Sequence, residues 1–128
     1  MPNSGNKKVL IVDDATFIRN RIKKIVEKIE NAEVIGEATN GVDAVALYKK
    51  FNPDLVTMDL IMPEADGIKA IEDIMKINNK AKIVVVSAMG QEVTVADALE
   101  KGAKEYIKKP FKEEDIYKAL ERFLKAKK

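Results

Sequence analysis

The chain has 128 residues, of which 46% are hydrophobic and 34% charged, a balance typical of one folded domain with a buried core. It contains no cysteine and no histidine, which excludes a disulfide framework, a thiolate site and an internal imidazole base. No apolar run approaches the roughly 18 residues of a membrane span, and the start "MPNSGNKK" lacks the apolar segment of a signal peptide. We therefore expect a cytoplasmic location without membrane insertion.

The net charge of +2 is unevenly distributed, because basic side chains are concentrated in residues 101–128. A basic end can indicate nucleic-acid binding. These lysines, however, alternate with Glu and Leu at helical spacing, and no aromatic or glycine-rich binding pattern accompanies them. We interpret them as a solvated helix face and expect no nucleic acid among the partners.

Short apolar runs and helical patterns alternate in the first half of the chain. The run Lys7–Asp14 predicts a strand, and apolar residues at helical spacing predict an amphipathic helix from Ala15 to about Glu30. Glu33–Ala38 predicts a second strand. A second helix ends before Pro53. Its predicted apolar face consists of Val42, Val45, Ala46 and Phe51.

The alternation continues to the end of the chain. Leu55–Asp59 predicts a third strand, and Lys82–Ala88 is a continuous β-branched run of the kind found in strands that are covered on both faces. Lys104–Pro110 predicts a fifth strand. The helices between and after them are marked by Ile68, Ile71, Ile74 and Met75, by Val93 to Lys101 with Gly102 as C-cap, and by Ile116, Leu120, Phe123 and Leu124.

Five strands, each followed by a helix, predict an α/β fold with a parallel sheet and helices on both faces. Ligands of such folds bind at the carboxyl ends of the strands. The side chains at those ends are Asp13 and Asp14 after the first strand, Asp59 after the third, Ser87 after the fourth and Lys109 after the fifth. We therefore expect carboxylates, a hydroxyl and an ammonium group to converge on one edge of the sheet.

Three carboxylates in one place repel one another, and a divalent cation would offset that repulsion. Oxygen ligands without His or Cys favour a hard ion such as Mg²⁺. Lys109 can pair with Asp59 or with a phosphate oxygen, and Ser87 can donate a hydrogen bond to such an oxygen. This combination is typical of phosphoryl transfer to a carboxylate nucleophile, and it predicts that Asp59 becomes phosphorylated.

Each of these residues also has an ordinary structural interpretation when it is taken alone. Asp13 and Asp14 could cap a helix, Lys109 could be solvated, and Tyr106 could be a packing residue at a strand edge. Ser87 alone indicates nothing. Only the joint placement at the strand ends supports an active site.

Four motifs stand at characteristic spacings over nearly the whole chain: "VLIVDD" (Val9–Asp14), "VTMDLIMPEADG" (Val56–Gly67), "VVVSA" (Val84–Ala88) and "YIKKPF" (Tyr106–Phe111). Together they resemble the receiver domain of two-component response regulators. The stretches "DDATFIRN", "GEATNG" and "SAMGQ" are most similar to the stand-alone chemotaxis members of that family. The resemblance implies a flavodoxin-like (βα)5 doubly wound sandwich whose five parallel strands have the order 2-1-3-4-5.

The same resemblance implies a role for each site residue. Asp59 is the phosphoacceptor, and Ser87 and Lys109 contact the phosphoryl group. The implied Mg²⁺ ligands are Asp14, Asp59 and the backbone carbonyl of Ile61, with Asp13 acting through water. Tyr106 is the implied aromatic switch, which turns inward when Ser87 moves toward the phosphate, and Lys109–Pro110 is an implied cis peptide.

The resemblance further implies a flexible N-terminus over residues 1–6 and a single receiver domain over 7–128 without an output domain. The expected partners of this monomer are a histidine kinase as phosphodonor, a flagellar or archaellar motor component or adaptor, and an accessory phosphatase. Three alternatives remain open: a phosphorelay intermediate outside chemotaxis, a receiver-like scaffold that is never phosphorylated, and an aspartate-based phosphohydrolase. The last typically needs an acid two residues after its nucleophile, where this chain has Ile61.

Overall fold

A computed structural model describes residues 6–62, 67–88 and 92–125. Within these ranges five strands and five helices alternate, as the sequence predicts. The strands are β1 (Lys7–Val12), β2 (Ala32–Ala38), β3 (Leu55–Met58), β4 (Ile83–Ser87) and β5 (Glu105–Lys108). The helices are α1 (Thr16–Glu27), α2 (Gly41–Phe51), α3 (Gly67–Ile77), α4 (Glu92–Lys101) and α5 (Glu113–Lys125). Of the N-terminal segment that is expected to be flexible, only Asn6 lies within the described residues.

The five strands form one parallel sheet in the order β2-β1-β3-β4-β5. This confirms the α/β class and the strand order implied by the resemblance. The chain crosses from one side of β1 to the other after β2, so β1 and β3 flank the point where the order reverses. Ligands of doubly wound sheets bind at that point.

Two cores lie on opposite faces of the sheet because neighbouring strand residues point to opposite sides. Residues of α2, α3 and α4 cover one face, and residues of α1 and α5 cover the other. Every residue of β4 is buried, as expected for a strand with helices on both sides. Among the helices of the described residues, none is long and apolar enough to cross a bilayer.

The structure corrects the predicted face of α2. Val42 is 63% exposed and Ala46 is also exposed, whereas Gly41, Ala44 and Tyr48 are buried. The other two predicted residues, Val45 and Phe51, are partly buried, and Val45 packs against the core. Ala44 and Tyr48 belong to the core on this side of the sheet, and Tyr48 is among the largest fully buried side chains of the described residues.

The first helix is also shorter than predicted, since α1 ends at Glu27 rather than near Glu30. Beyond it the chain turns through Asn31, which has a left-handed backbone with φ of 64°. The carbonyl of Asn31 accepts a hydrogen bond from the Lys7 N–H at 2.7 Å. This bond holds the start of β2 next to the start of β1. Ile29 lies in the turn and is still buried, which explains why the apolar pattern extends past the helix.

Thr57, in β3, has a buried hydroxyl without a hydrogen-bond partner in the part of the chain that the structure describes. We expect Thr57→Val to raise the free energy of unfolding by about 1 kcal/mol, because a methyl group replaces a desolvated hydroxyl of the same shape. Urea denaturation measures this change as a higher midpoint, provided that the dependence of the unfolding free energy on urea concentration is unchanged. Thr57→Ser is the matched control: it keeps the hydroxyl, loses a buried methyl and should be less stable by about 1 kcal/mol. A less stable Val variant would contradict the prediction.

Candidate functional site

Three carboxylates meet at the carboxyl edge of the sheet, as the sequence predicts. Asp13, Asp14 and Asp59 each offer an oxygen, and these oxygens lie within 4.8 Å of one another. Asp13 and Asp14 follow β1 and Asp59 follows β3, its neighbour in the sheet. The Asp59 N–H donates to the carbonyl of Val12 at 3.0 Å, which ties the ends of the two strands together. Asp13 and Asp59 are buried, and Asp14 is exposed.

Asp13 is held by several hydrogen bonds. Its Oδ1 accepts from the Ala15 N–H at 2.9 Å, and its Oδ2 accepts from Lys109 Nζ at 2.8 Å. Its own N–H donates to the carbonyl of Ala38 at 3.0 Å. Both carboxylate oxygens of Asp13 are therefore engaged, whereas the carboxylate of Asp14 is exposed.

Asp59 is surrounded by groups with opposing effects on its charge. Burial and the neighbouring Asp13 carboxylate raise the pKa of Asp59 above its usual value. Lys109 Nζ at 3.5 Å, the Ile61 N–H at 3.2 Å and a hydrogen bond with Ser87 lower it, but only in part. The net effect is a raised pKa, which means that this site destabilises the ionised form of Asp59 relative to the protonated form.

Ser87 links the phosphoacceptor candidate to Tyr106. The Ser87 hydroxyl is fully buried and is hydrogen-bonded with both Asp59 and the Tyr106 hydroxyl. Tyr106 is partly buried and packs against the core under α2, α3 and α4, and this burial raises its pKa. The contact on which the predicted switch depends is therefore direct. The bond between Lys109 and Pro110 is cis, as the resemblance implies.

Sequence reasoning missed two residues that shape this site. The first is Gly67, where a Cβ would clash with the carbonyl oxygen of Asp59 and would lie 2.8 Å from the Leu60 Cα. Only glycine lets α3 begin so close to the phosphoacceptor candidate. The second is Arg19, whose Nη1 donates to the backbone carbonyl of Asp13 at 2.9 Å. A lone arginine in an amphipathic helix carries no signal for such a contact.

The donor set fits a hard divalent cation. All three side chains of the cluster offer carboxylate oxygens, and the nearest nitrogen is the cationic Lys109. Crowded oxygen ligands without imidazole or thiolate suit Mg²⁺. The residues present therefore fit the magnesium ion that the sequence predicts.

Residues 9–121 match the family model of the response regulator receiver domain. The chain belongs to this family. It is 53% identical over 119 residues to the chemotaxis protein CheY of Thermotoga maritima, a match covering 93% of this chain and 98% of the relative. It is 49% identical over 118 residues to CheY of Listeria monocytogenes, covering 92% and 98% of the two chains.

Solved structures agree with these relatives. The CheX–CheY complex with BeF3 and Mg²⁺ from Borrelia burgdorferi contains a chain similar to this receiver domain, with a TM-score of 0.85 and 34% identity over 94% of this chain and 96% of the other. Together with the identity to CheY proteins, this likeness supports a CheY-like response regulator of chemotaxis signalling and confirms that prediction.

The raised pKa of Asp59 makes a prediction about pH. A folded-state pKa above the unfolded value means that the folded protein binds more protons than the unfolded one between the two values, so ionised Asp59 lowers stability at neutral pH. In EDTA at pH 7 we expect Asp59→Asn to unfold at higher urea than the wild type. That difference should shrink as the pH falls through the raised pKa, because Asp59 then becomes neutral itself.

The control for this series is Glu100→Gln, which neutralises an exposed carboxylate on α4 and should change stability by less than about 0.5 kcal/mol at any pH. An Asn variant that is less stable than the wild type at pH 7, or a difference that grows toward acidic pH, would contradict the prediction.

Proposed function

We propose that Asp59 receives a phosphoryl group from a phosphohistidine of a separate, CheA-like histidine kinase, and that residues 7–128 act in the cytoplasm as one monomeric receiver domain. The observation that carries this proposal is the meeting of Asp59 with Asp13, Asp14, Lys109 and Ser87 at one edge of the sheet. The 128 residues contain no histidine, and the proposal assigns the donor imidazole to the separate kinase.

The acidic cluster supports a magnesium ion bound by Asp14, Asp59 and the backbone carbonyl of Ile61. The resemblance to receiver domains assigns Asp14 a direct contact and Asp13 a contact through water. The exposed carboxylate of Asp14 is compatible with the direct contact. When bound, the ion would offset the charge of the carboxylates and of the phosphoryl oxygens.

The transfer itself is a single exchange of bonds. An Asp59 oxygen attacks the phosphorus, the P–N bond of the phosphohistidine breaks, and the electron pair stays on the departing imidazole nitrogen. Lys109 Nζ, which lies 3.5 Å from Asp59, pairs with a phosphoryl oxygen. The Ser87 hydroxyl donates to another. In this proposal the chain is a phosphoacceptor whose own chemistry is limited to self-phosphorylation and self-dephosphorylation. Apolar Ile61 occupies the position where aspartate-based phosphohydrolases typically carry a general acid.

The output is proposed to pass through Ser87 and Tyr106. Phosphorylation adds about −1.5 to −2 of charge, and a movement of Ser87 toward it would break or redirect the hydrogen bond to Tyr106. Tyr106 borders a groove of about 540 Å³ between β5 and α5. Its charged lining residues are the basic Lys108, Lys112, Lys118 and Arg122 and the acidic Glu105 and Asp115, so the lining is positive by two charges.

This groove is the proposed docking site of the partner. The net positive charge of the lining suits an acidic segment of a flagellar or archaellar motor component or adaptor, and it would raise the association rate in a salt-dependent way. The Borrelia burgdorferi relative forms a complex of CheX and CheY with BeF3 and Mg²⁺, which supports a protein partner for this chain as well. We propose that the partner prefers the activated form, and we include an accessory phosphatase among the proposed partners. A tenfold preference for that form needs only about 1.4 kcal/mol of differential affinity.

Phosphorylation of Asp59 is tested directly by intact mass. Acetyl phosphate with Mg²⁺ should add one phosphoryl group to the wild type and none to Asp59→Asn, because an amide is a poor nucleophile and a poor ligand. Asp54→Asn, which alters an exposed carboxylate at the opposite end of the sheet, should be labelled normally. Undiminished labelling of Asp59→Asn would overturn the assignment.

Asp14→Ala should weaken Mg²⁺ binding without unfolding the chain, since it removes one of three repelling charges.

The switch is tested by chemical-shift mapping with beryllofluoride and Mg²⁺. In the wild type, perturbations should extend from Asp59 to Tyr106 and along α5. In Ser87→Ala they should stay near Asp59, because the hydroxyl that links the two residues is gone. Tyr106 and α5 signals that remain unchanged in the wild type would mean that this route to the docking groove does not operate.

A further inference from the structure

We propose that Arg19 is a positioning residue for the metal-binding loop, holding the peptide between Asp13 and Asp14 in the orientation that Mg²⁺ needs. This inference rests on the proposed magnesium site. Arg19 lies near the start of α1, and its side chain is only 14% exposed. Neither the sequence motifs nor the donor set of the site assigns it a role.

The guanidinium group of Arg19 contacts three different elements at once. Nη1 donates to the Asp13 carbonyl oxygen at 2.9 Å, Nε donates to Glu37 Oε1 at 2.8 Å, and Nη2 donates to Thr16 Oγ1 at 3.3 Å. Glu37 lies in β2, Thr16 opens α1, and Asp13 belongs to the loop between β1 and α1. One planar group therefore connects the metal loop with the strand and the helix that flank it.

The end of β2 holds Asp13 from both sides. The Asp13 N–H donates to the carbonyl of Ala38, and the Asp13 carbonyl accepts from Arg19, which Glu37 anchors in turn. The carbonyl of Asp13 belongs to the peptide plane that leads to Asp14. A hydrogen bond to this oxygen therefore fixes the orientation of the peptide plane from which Asp14 begins. Mutation of groups that orient metal ligands in this way typically lowers metal affinity by about 10- to 100-fold.

An electrostatic role and a positioning role predict opposite results. Arg19 is a cation next to a cation site, so loss of its charge alone would strengthen Mg²⁺ binding. Loss of its hydrogen bonds would leave the Asp13–Asp14 peptide free to rotate and would weaken Mg²⁺ binding. A merely structural role would lower the stability of the metal-free protein and leave the Mg²⁺ affinity unchanged.

The shape of the side chain also matters. A guanidinium group donates in several fixed directions, whereas the ammonium group of lysine is a single point with a flexible stem. A lysine at position 19 would keep the charge but could not reach Glu37, Thr16 and the Asp13 carbonyl in the same geometry. Charge and positioning can therefore be separated by Arg19→Met and Arg19→Lys.

Lys23 offers a matched control on the same helix. Its Nζ lies 3.7 Å from Glu37 Oε2, so it shares a partner with Arg19, but it has no hydrogen bond to Asp13 among the described residues. Lys23→Met removes the same unit of charge, one turn further along α1, and leaves the contact between Arg19 and Asp13 in place.

The experiment is a calorimetric titration of each full-length variant with MgCl2 at constant ionic strength, together with urea unfolding in EDTA. We expect the Mg²⁺ dissociation constant to rise about tenfold in Arg19→Met and at least about threefold in Arg19→Lys, and to stay within about twofold in Lys23→Met. Arg19→Lys carries the test if Arg19→Met does not fold.

Equal or tighter Mg²⁺ binding by Arg19→Met would overturn the inference, as would full wild-type affinity in Arg19→Lys. A tenfold loss in Lys23→Met would overturn it as well, because the effect would then follow from charge around Glu37. If the wild type itself does not bind Mg²⁺, the proposed magnesium site fails. If the wild type binds and all three variants match it, only the role of Arg19 fails.

Discussion

The site depends on the contact between Lys109 and the buried carboxylates. Asp13 and Asp59 are almost fully buried close together, an arrangement that is unfavourable without a counter-charge. Lys109 Nζ lies 2.8 Å from Asp13 and 3.5 Å from Asp59, so one ammonium group serves both. It reaches them from the far side of β4, and its own N–H donates to the carbonyl of Ser87. The order β1-β3-β4-β5 is therefore needed to bring this cation to its partners.

The three carboxylates have different surroundings although their chemistry is the same. Asp13 makes four hydrogen bonds through its side chain and backbone, and Asp14 is exposed. Asp59 lies next to the ammonium group of Lys109 and the hydroxyl of Ser87. The raised pKa of Asp59 is the physical mark of a group whose charge is poorly compensated until further positive charge arrives.

The backbone around the site leaves little freedom for substitution. Gly67 lets α3 begin against the Asp59 carbonyl, and the Asp59 N–H is bonded to the end of β1. Arg19 and Ala38 hold the opposite side of the cluster through Asp13. The phosphoacceptor candidate is therefore held on both sides, and the hydrogen bonds of Ser87 connect it with Tyr106, the proposed route by which a change at Asp59 reaches the surface.

The sequence by itself determined the alternation of strands and helices and the chemistry at the strand ends, because periodicity is local and the carboxyl ends of parallel strands share one edge. The family motifs supplied the strand order and the residue roles. Only the tertiary structure decided that α2 buries Gly41, Ala44 and Tyr48, that Gly67 touches Asp59, and that Arg19 holds Asp13. These contacts join residues from different elements. How closely two elements approach depends on the side chains of both. The sequence pattern of one element therefore cannot predict these contacts.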